Sequence, residues 1–408
     1  MPSVLFRNQS TEPISKISAI ENIFCYLLLV IFFGAGIYLR WDALQSVTIG
    51  GHEWITRDFD RAFNIIDGIY IPLAGPESNA GGRLPGPFMY FWLAIPLLFH
   101  YSYEAIFNFN FILNIISIVG LFFILKRHFN LFTSALSVGM LSISAHHISA
   151  VNHPINPAFI FPFITVFIGL YFELIFKEKI KVIPWIVLVL SLSVQFHYSM
   201  AVYALVPISV TFLYKIRPTK KIIIKSIIVG ILAFSPYMMF KLQTFEPTND
   251  GSVATFRRPD ITILEIVKAV SLQNTLHRIT NSTPFPKIKN KITPQIKQIF
   301  LSVVFYTFIL WVALGVKRNS LKPYKKEISI LSLFIIPALT YEIVHPFTQH
   351  YWYSYVFIIP TALFLTVLVN ELFQIKNLHW IRYSFPIISV ALMGIHLDYC
   401  YKELKLQK

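Results

Sequence analysis

Stretches of apolar residues long enough to cross about 30 Å of hydrocarbon recur along this chain from Ile23 to Leu397. No other feature narrows the fold as much. A backbone inside a bilayer has no water to bond to, so each such stretch is expected to be a helix. The composition agrees: 55% of the residues are apolar and only 13% are charged, where about a quarter are charged in soluble domains. The expected fold class is all-α integral membrane, a single transmembrane domain over residues 1–408 with no separate soluble domain.

A formal net charge of +15 would suggest nucleic acid in a soluble chain. Here the Lys and Arg residues sit in short tracts between apolar stretches, as at 215–225 and 317–326. That is the positive-inside pattern with attraction to anionic headgroups, so membrane lipids take the place of nucleic acid as the expected partner. Cys25 lies in the first apolar stretch and Cys400 near the end, and two cysteines so placed build neither a metal site nor a disulfide framework. The first stretch closes on Tyr38-Leu39-Arg40 without a small-residue cleavage site and is read as an uncleaved helix.

After this span, at 23–39, comes a polar loop of more than 40 residues, too long for a turn. Within it Ile55, Phe59, Ala62, Phe63 and Ile66 recur at helical spacing, with Asp60, Asn64 and Asp67 on another face. This pattern predicts an amphipathic juxtamembrane helix lying on the membrane surface. The apolar run from Pro85 to Phe99 is interrupted by Pro96. If it crossed, Lys126-Arg127-His128 and the basic tract 177–181 would both fall outside, so the positive-inside rule leaves it uncrossed, within a first external loop over 41–101. Further spans are expected near 105–125, 131–144, 157–176, 182–194, 200–213 and 222–240. After a second large external loop at 241–298, with a weakly amphipathic helix near 261–270, come 299–316, 328–344, 351–372 and 383–397, giving about 11 transmembrane helices.

On this topology the polar residues gather outside: Glu53, Asp58 and Asp60 in the first loop, His146, His147, His153 and Asn156 in the next, then Gln195 with His197, and finally His345, Gln349 and His350. The spans are nearly free of ionisable groups, which counts against ion-coupled transport. The histidine spacings match no compact ligand motif, so no metal site is expected. No phosphate-binding glycine loop and no nucleophile elbow occurs, which removes support for nucleotide binding and serine hydrolysis.

Several segments taken in order carry a resemblance. They are the acidic first loop, AFNIIDGIYIPLAGP at 62–76, GGRLPGPFMY at 81–90, SAVNHPINP at 149–157 and QFHYS at 195–199. Together they resemble the bacterial multi-pass glycosyltransferases of the GT-C superfamily, relatives of protein O-mannosyltransferases and lipid A aminoarabinose transferases. The likeness is detailed from Trp41 to Leu213 and rests on hydropathy elsewhere. It implies an enzyme of the cell membrane, in a bacterium the inner membrane, that moves a sugar from a polyprenyl-phosphate donor to a lipid or glycan acceptor on the extracytoplasmic face. A first-loop carboxylate would act as general base.

The residue types suit that chemistry. An attacking hydroxyl must lose a proton, which an Asp or Glu can take, and the departing phosphate gains negative charge, which Arg or Lys stabilises. Asp58, preceded by Arg57, is the first choice of base, Glu53 the second and Asp60 the third. Family members often carry an acidic residue four positions before this Asp, where the chain has Trp54 with Glu53 one position off, so Asp58 and Glu53 both stay open. Arg83 is expected to hold the carrier phosphate, with Arg257 and Arg258 next; Arg57 can serve there or pair with lipid headgroups. His153, Asn156 and His197 would line the cavity. No cofactor is required by the pattern, although a lone outer-face carboxylate can hold a divalent cation loosely. The competing readings are a polytopic transporter or flippase, and a polymerase, of lipid-linked saccharides.

Overall fold

The computed structural model describes residues 19–45, 53–77, 83–152, 154–244 and 325–344, with 356, 358–364 and 366. Among the described residues the chain is helical without a strand; one isolated antiparallel bridge joins Glu77 to Arg83. In order the helices are α1 Ala19–Gln45, α2 Glu53–Ile66, α3 Phe88–Leu97, α4 Tyr103–His128, α5 Leu131–Ser142, α6 Ala145–Asn152, α7 Phe161–Lys177, α8 Ile183–Val194, α9 Leu205–Leu213, α10 Lys220–Gln243 and α11 Lys325–Val344. Short 3-10 turns at Asn156–Ile160 and Tyr198–Ala204 lead into α7 and α9.

Four helical stretches among the described residues are long and apolar enough to cross a membrane: Cys25–Gln45, Tyr103–His128, Asn156–Lys177 and Lys220–Gln243. The chain is thus a helical membrane protein. The helices α5, α8 and α9 have 12, 12 and 9 residues. At 1.5 Å per residue they reach about 14 to 18 Å and fall short of the hydrocarbon thickness on their own. The same limit applies to the 10-residue α3, which contains Pro96. Of the expected spans, 299–316 and 383–397 lie outside the described residues, and so do most of 351–372 and of the second large loop.

Local sequence sets the helix ends. Ser102 accepts from Ala105 N at the start of α4, and Asn130 accepts from Thr133 N at the start of α5, each satisfying an amide that the helix cannot. Glu178, left-handed at φ 52°, closes α7. The centre of the bundle is the face between α4 and α7, where Phe167, Ile168, Tyr171 and Phe172 are wholly buried. Against it pack α8, α9 and α11; Tyr171 Oη donates to Ser329 O at 3.2 Å and Tyr203 Oη to Val356 O at 2.7 Å. Along α5 lies α1, with Gly36 so close that a Cβ there would collide with Ser142 O. No residue of α10 is buried, and the helix packs on α8.

The bundle has two chemically distinct ends. At one, the C-termini of α4 and α7 and the N-terminus of α11 meet: Glu173 takes Lys177 at 2.7 Å, Lys179 at 2.6 Å and Arg127 at 3.4 Å, while Lys325 reaches Glu178 at 2.7 Å. These are the basic tracts that the charge pattern assigned to one side. At the other end α2 and α3 close over the N-terminus of α4.

Candidate active site

The apolar stripe read from Ile55, Phe59, Ala62 and Ile66 folds α2 onto the bundle. Phe59, wholly buried, stacks against Tyr103 and meets Phe107 of α4 edge to face, at ring separations of 5.9 and 5.4 Å. Burying one such side chain stabilises the docked helix by about 2 kcal/mol. Asp58 stands three residues after Ile55 and four before Ala62, so it lies on the same stripe and goes under with it, only 5% exposed. A carboxylate is seldom buried unless it is paired or used.

Its partners are few. Arg57 Nε and Nη2 donate to Asp58 Oδ1 at 2.9 and 2.8 Å, and Tyr90 Oη of α3 reaches the same oxygen at 3.5 Å. None of these contacts falls on Oδ2. Arg61 adds positive potential and lies 5.8 Å above the Tyr90 ring. Burial raises the Asp58 carboxyl from its ordinary value to about 6, against the opposing pull of Arg57, Arg61 and the Tyr90 hydroxyl. Burial and the neighbouring Asp58 charge likewise raise the Tyr90 phenol, which keeps it a hydrogen-bond donor.

The Pro- and Gly-rich segment beyond α2 doubles back on itself. Gly75 N bonds Leu84 O at 3.0 Å and Leu84 N bonds Pro76 O at 2.8 Å, which sets Glu77 opposite Arg83. Arg83 Nη2 meets Glu77 Oε1 at 3.0 Å, and Arg57 Nη1 lies 3.6 Å from Glu77 Oε2. One carboxylate therefore links the two arginines, and Arg57 passes the link on to Asp58.

Gln195, 1% exposed at the end of α8, fixes this segment to the bundle. Its Oε1 accepts from Phe88 N at 3.0 Å, and its Nε2 donates to Ala233 O of α10 at 2.9 Å. Gly86 adopts φ 127°, a conformation closed to most residues, and a Cβ there would strike the Gln195 amide. Tyr198 Oη holds Arg83 O at 2.8 Å. Beneath lies an aromatic cluster of Phe88, Trp92, Phe163 and Phe196.

Of the residues singled out from sequence, the structure brings Asp58, Arg57 and Arg83 together. Glu53 is exposed on the first turn of α2, five residues and thus well over a quarter turn from Asp58. Asp60 is exposed and accepts from the Tyr103 hydroxyl on the opposite flank of the helix. Buried His197 caps its own turn: Nδ1 accepts from Ser199 N at 3.3 Å and pairs with Ser199 Oγ at 2.5 Å. Asn156 is half-buried at the head of the turn into α7. His153, Arg257 and Arg258 lie outside the described residues. His147, placed by the sequence reading in the second external loop, is wholly buried, its Nδ1 2.8 Å from Arg40 Nη2. Glu77 and Tyr90 were not anticipated. Nothing local marks them, because each meets its partner only through the folding back of α3 and the loop before it.

At the described residues a divalent cation would have to compete with guanidinium groups for its carboxylates. The two described carboxylates here, Asp58 and Glu77, each lie against a guanidinium, with Arg61 a third cation nearby. Among the described residues no three His, Cys, Asp or Glu side chains converge.

No protein-family model matches the chain. No curated protein matches it in sequence. Among solved structures it is similar to the oligosaccharyltransferase AglB of Archaeoglobus fulgidus in complex with an inhibitory peptide and a dolichol-phosphate, at 13% identity and a TM-score of 0.52 over 95% of this chain and 56% of that one. It is also similar to the apo form of the Archaeoglobus fulgidus oligosaccharyltransferase, at 10% identity and a TM-score of 0.51 over 96% and 56% of the two chains. The chain spans just over half the length of that enzyme. At such identities the likeness speaks for the fold alone: the chain shares the fold of that archaeal oligosaccharyltransferase over the part the two have in common.

Proposed function

We propose that this protein is an inverting membrane glycosyltransferase that moves a sugar from a polyprenyl-phosphate carrier to a lipid or glycan acceptor at the extracytoplasmic face. The observation that carries the reading is Asp58, a buried carboxylate held by one oxygen, whose proton affinity is raised to about 6. At neutral pH such a group is ionised, yet it takes a proton more readily than a free carboxylate does, as a general base must. Asp58 removes the acceptor hydroxyl proton as the acceptor oxygen attacks the anomeric carbon. The bond from that carbon to the phosphate oxygen breaks, and its electron pair leaves with the polyprenyl phosphate. Arg83, backed by Arg57, stabilises the charge that this oxygen gains. Tyr90 holds Oδ1 and so turns the carboxylate toward the acceptor. The dolichol-phosphate bound to the archaeal enzyme of the same fold supports a polyprenyl phosphate as carrier.

The test is transfer from radiolabelled polyprenyl-phosphate sugars in membranes carrying the parent protein or one of Asp58→Asn, Glu53→Gln and Asp60→Asn. Loss confined to Asp58→Asn is expected. If Asp58→Asn transfers like the parent, Asp58 is not the base; if the parent consumes no lipid-linked sugar but moves it between leaflets, the protein is a transporter.

A further inference from the structure

Glu77 lies between Arg57 and Arg83, the two arginines assigned above to the carrier phosphate. Its two oxygens are shared between two guanidinium groups, Oε1 with Arg83 at 3.0 Å and Oε2 with Arg57 at 3.6 Å. That is how a phosphate bridges a pair of arginines, and guanidinium recognises carboxylate and phosphate by the same planar fork. The carboxylate is loosely held: its side chain is half exposed, and its hold on the loop is one isolated bridge. Arg57 Nη1 is enclosed and makes no hydrogen bond, so the second half of the bridge is unfinished. An exposed carboxylate pair of this kind contributes little, so a phosphodiester of equal charge can displace it, and a phosphate monoester offers more charge and three acceptor oxygens to the same donors.

We propose that Glu77 is an internal counter-anion that trades places with the carrier phosphate on Arg57 and Arg83, yielding to it when donor binds and returning when product leaves. The proposal rests on the donor-phosphate reading above. The trade matters most at release. The sugar-linked donor is a phosphodiester with one negative charge, while the spent polyprenyl phosphate is a monoester carrying close to two at neutral pH. Two arginines that stabilise the departing phosphate would then hold the product more tightly than the donor, and a tethered carboxylate waiting beside them shortens that hold. Between turnovers it also keeps the two arginines near one another without a ligand.

The experiment measures binding of sugar-free polyprenyl phosphate to the purified full chain in detergent, together with its inhibition of transfer. Glu77→Gln keeps the shape and removes the charge. It is expected to bind polyprenyl phosphate about tenfold more tightly than the parent, the equivalent of one charge-assisted hydrogen bond no longer competed for, and to be inhibited correspondingly more strongly. In an Arg83→Gln background the substitution should change nothing. Glu77→Ala carries the same expectation should the amide variant not fold, with thermal unfolding in detergent as the check. If Glu77→Gln binds as the parent does or more weakly while Arg83→Gln still loses affinity, the counter-anion role is overturned and the phosphate site stands. If Arg83→Gln alone leaves affinity untouched, both readings fall.

Discussion

Asp58 and Glu173 are carboxylates at opposite ends of α4, and the fold surrounds them in opposite ways. Near the first turn of α4, Asp58 is buried with Arg57 on one oxygen and a distant phenol as its other described partner. Near the last turn, Glu173 meets Lys177, Lys179 and Arg127, which occupy both of its oxygens between them. A carboxylate with a surplus of cations holds helices in register and has little left to give. One that is desolvated and thinly paired is held in an unfavourable charge state, which is the physical signature of a reacting group.

The largest effect should come from Asp58→Asn. Transfer is expected to fall by about 10² to 10⁴, the range a lost general base produces. Stability should move the other way. The folded carboxyl holds its proton to about pH 6 against an ordinary 3.8, so the folded state binds more protons across that window and stability declines as pH rises through it. Ionised Asp58 then costs the fold on the order of 3 kcal/mol at neutral pH, which the amide avoids. The melting temperature of Asp58→Asn at pH 7.5 should therefore be no lower than the parent's. A variant that is inactive because it is unfolded would erase the contrast with Glu173. The same value predicts that the parent's transfer rate is half-maximal near pH 6 and drops about tenfold per unit below it, as the base becomes protonated.

Arg40 shows what a buried charge looks like when it serves the fold alone. It is 1% exposed and donates to Ser142 O at 2.5 Å and Gly36 O at 2.9 Å, so it ties α1 to the last turn of α5, where the helix dipole is negative. Burial, and after it the Arg40 guanidinium, push the adjacent His147 well below the usual histidine range, so His147 stays neutral and accepts. Arg40→Ala should lower stability by about 3 kcal/mol by stranding those carbonyls and the imidazole. Its transfer rate per folded molecule should match the parent's. A selective loss of transfer would place Arg40 with Asp58 and not with Glu173.

Gly86→Ala is next. Both the φ of 127° and the collision with Gln195 oppose a side chain, so the segment presenting Arg83 must shift at a strain of about 2 kcal/mol. The expected readout is a raised KM for donor with a smaller change in kcat, since Asp58 is carried on α2. An unchanged KM would detach Arg83 from donor binding.

How much of this was legible in the sequence differs between these places. The amphipathic helix announced itself through Ile55, Phe59, Ala62 and Ile66, and Asp58 was readable as a candidate base within it, though its proton affinity depends first on burial and its partner Tyr90 stands 32 residues away. Arg40 could be read as the end of a span but not as buried, because its partners lie 102 and 107 residues further on. The capping role of His197 was local, written in a Ser two positions later. Apolar runs gave α5 and α8 to within two residues, but the run at 200–213 hid the 3-10 turn at Tyr198–Ala204 that shortens α9, because hydrophobicity carries no mark of where a 3-10 turn replaces a helix. Glu77 was invisible, since only the folded-back loop sets it between two arginines.

The smallest effect belongs to the crowded carboxylate. In Lys179→Gln, Glu173 keeps Lys177 at 2.7 Å and Arg127 at 3.4 Å, and the lost partner is half exposed. Unfolding in detergent should register less than about 0.5 kcal/mol, with no change in transfer. Arg57→Gln removes one cation as well, but there it is the carboxylate's only guanidinium contact among the described residues, and the carboxylate left behind is buried. Its Asp58 should hold a proton to still higher pH, moving the acid limb of the transfer profile above pH 6. Equal effects of the two substitutions would mean that the number of partners does not distinguish the two ends of α4. A silent Lys179→Gln beside a shifted profile for Arg57→Gln would tie the difference to pairing, since the two variants lose the same charge.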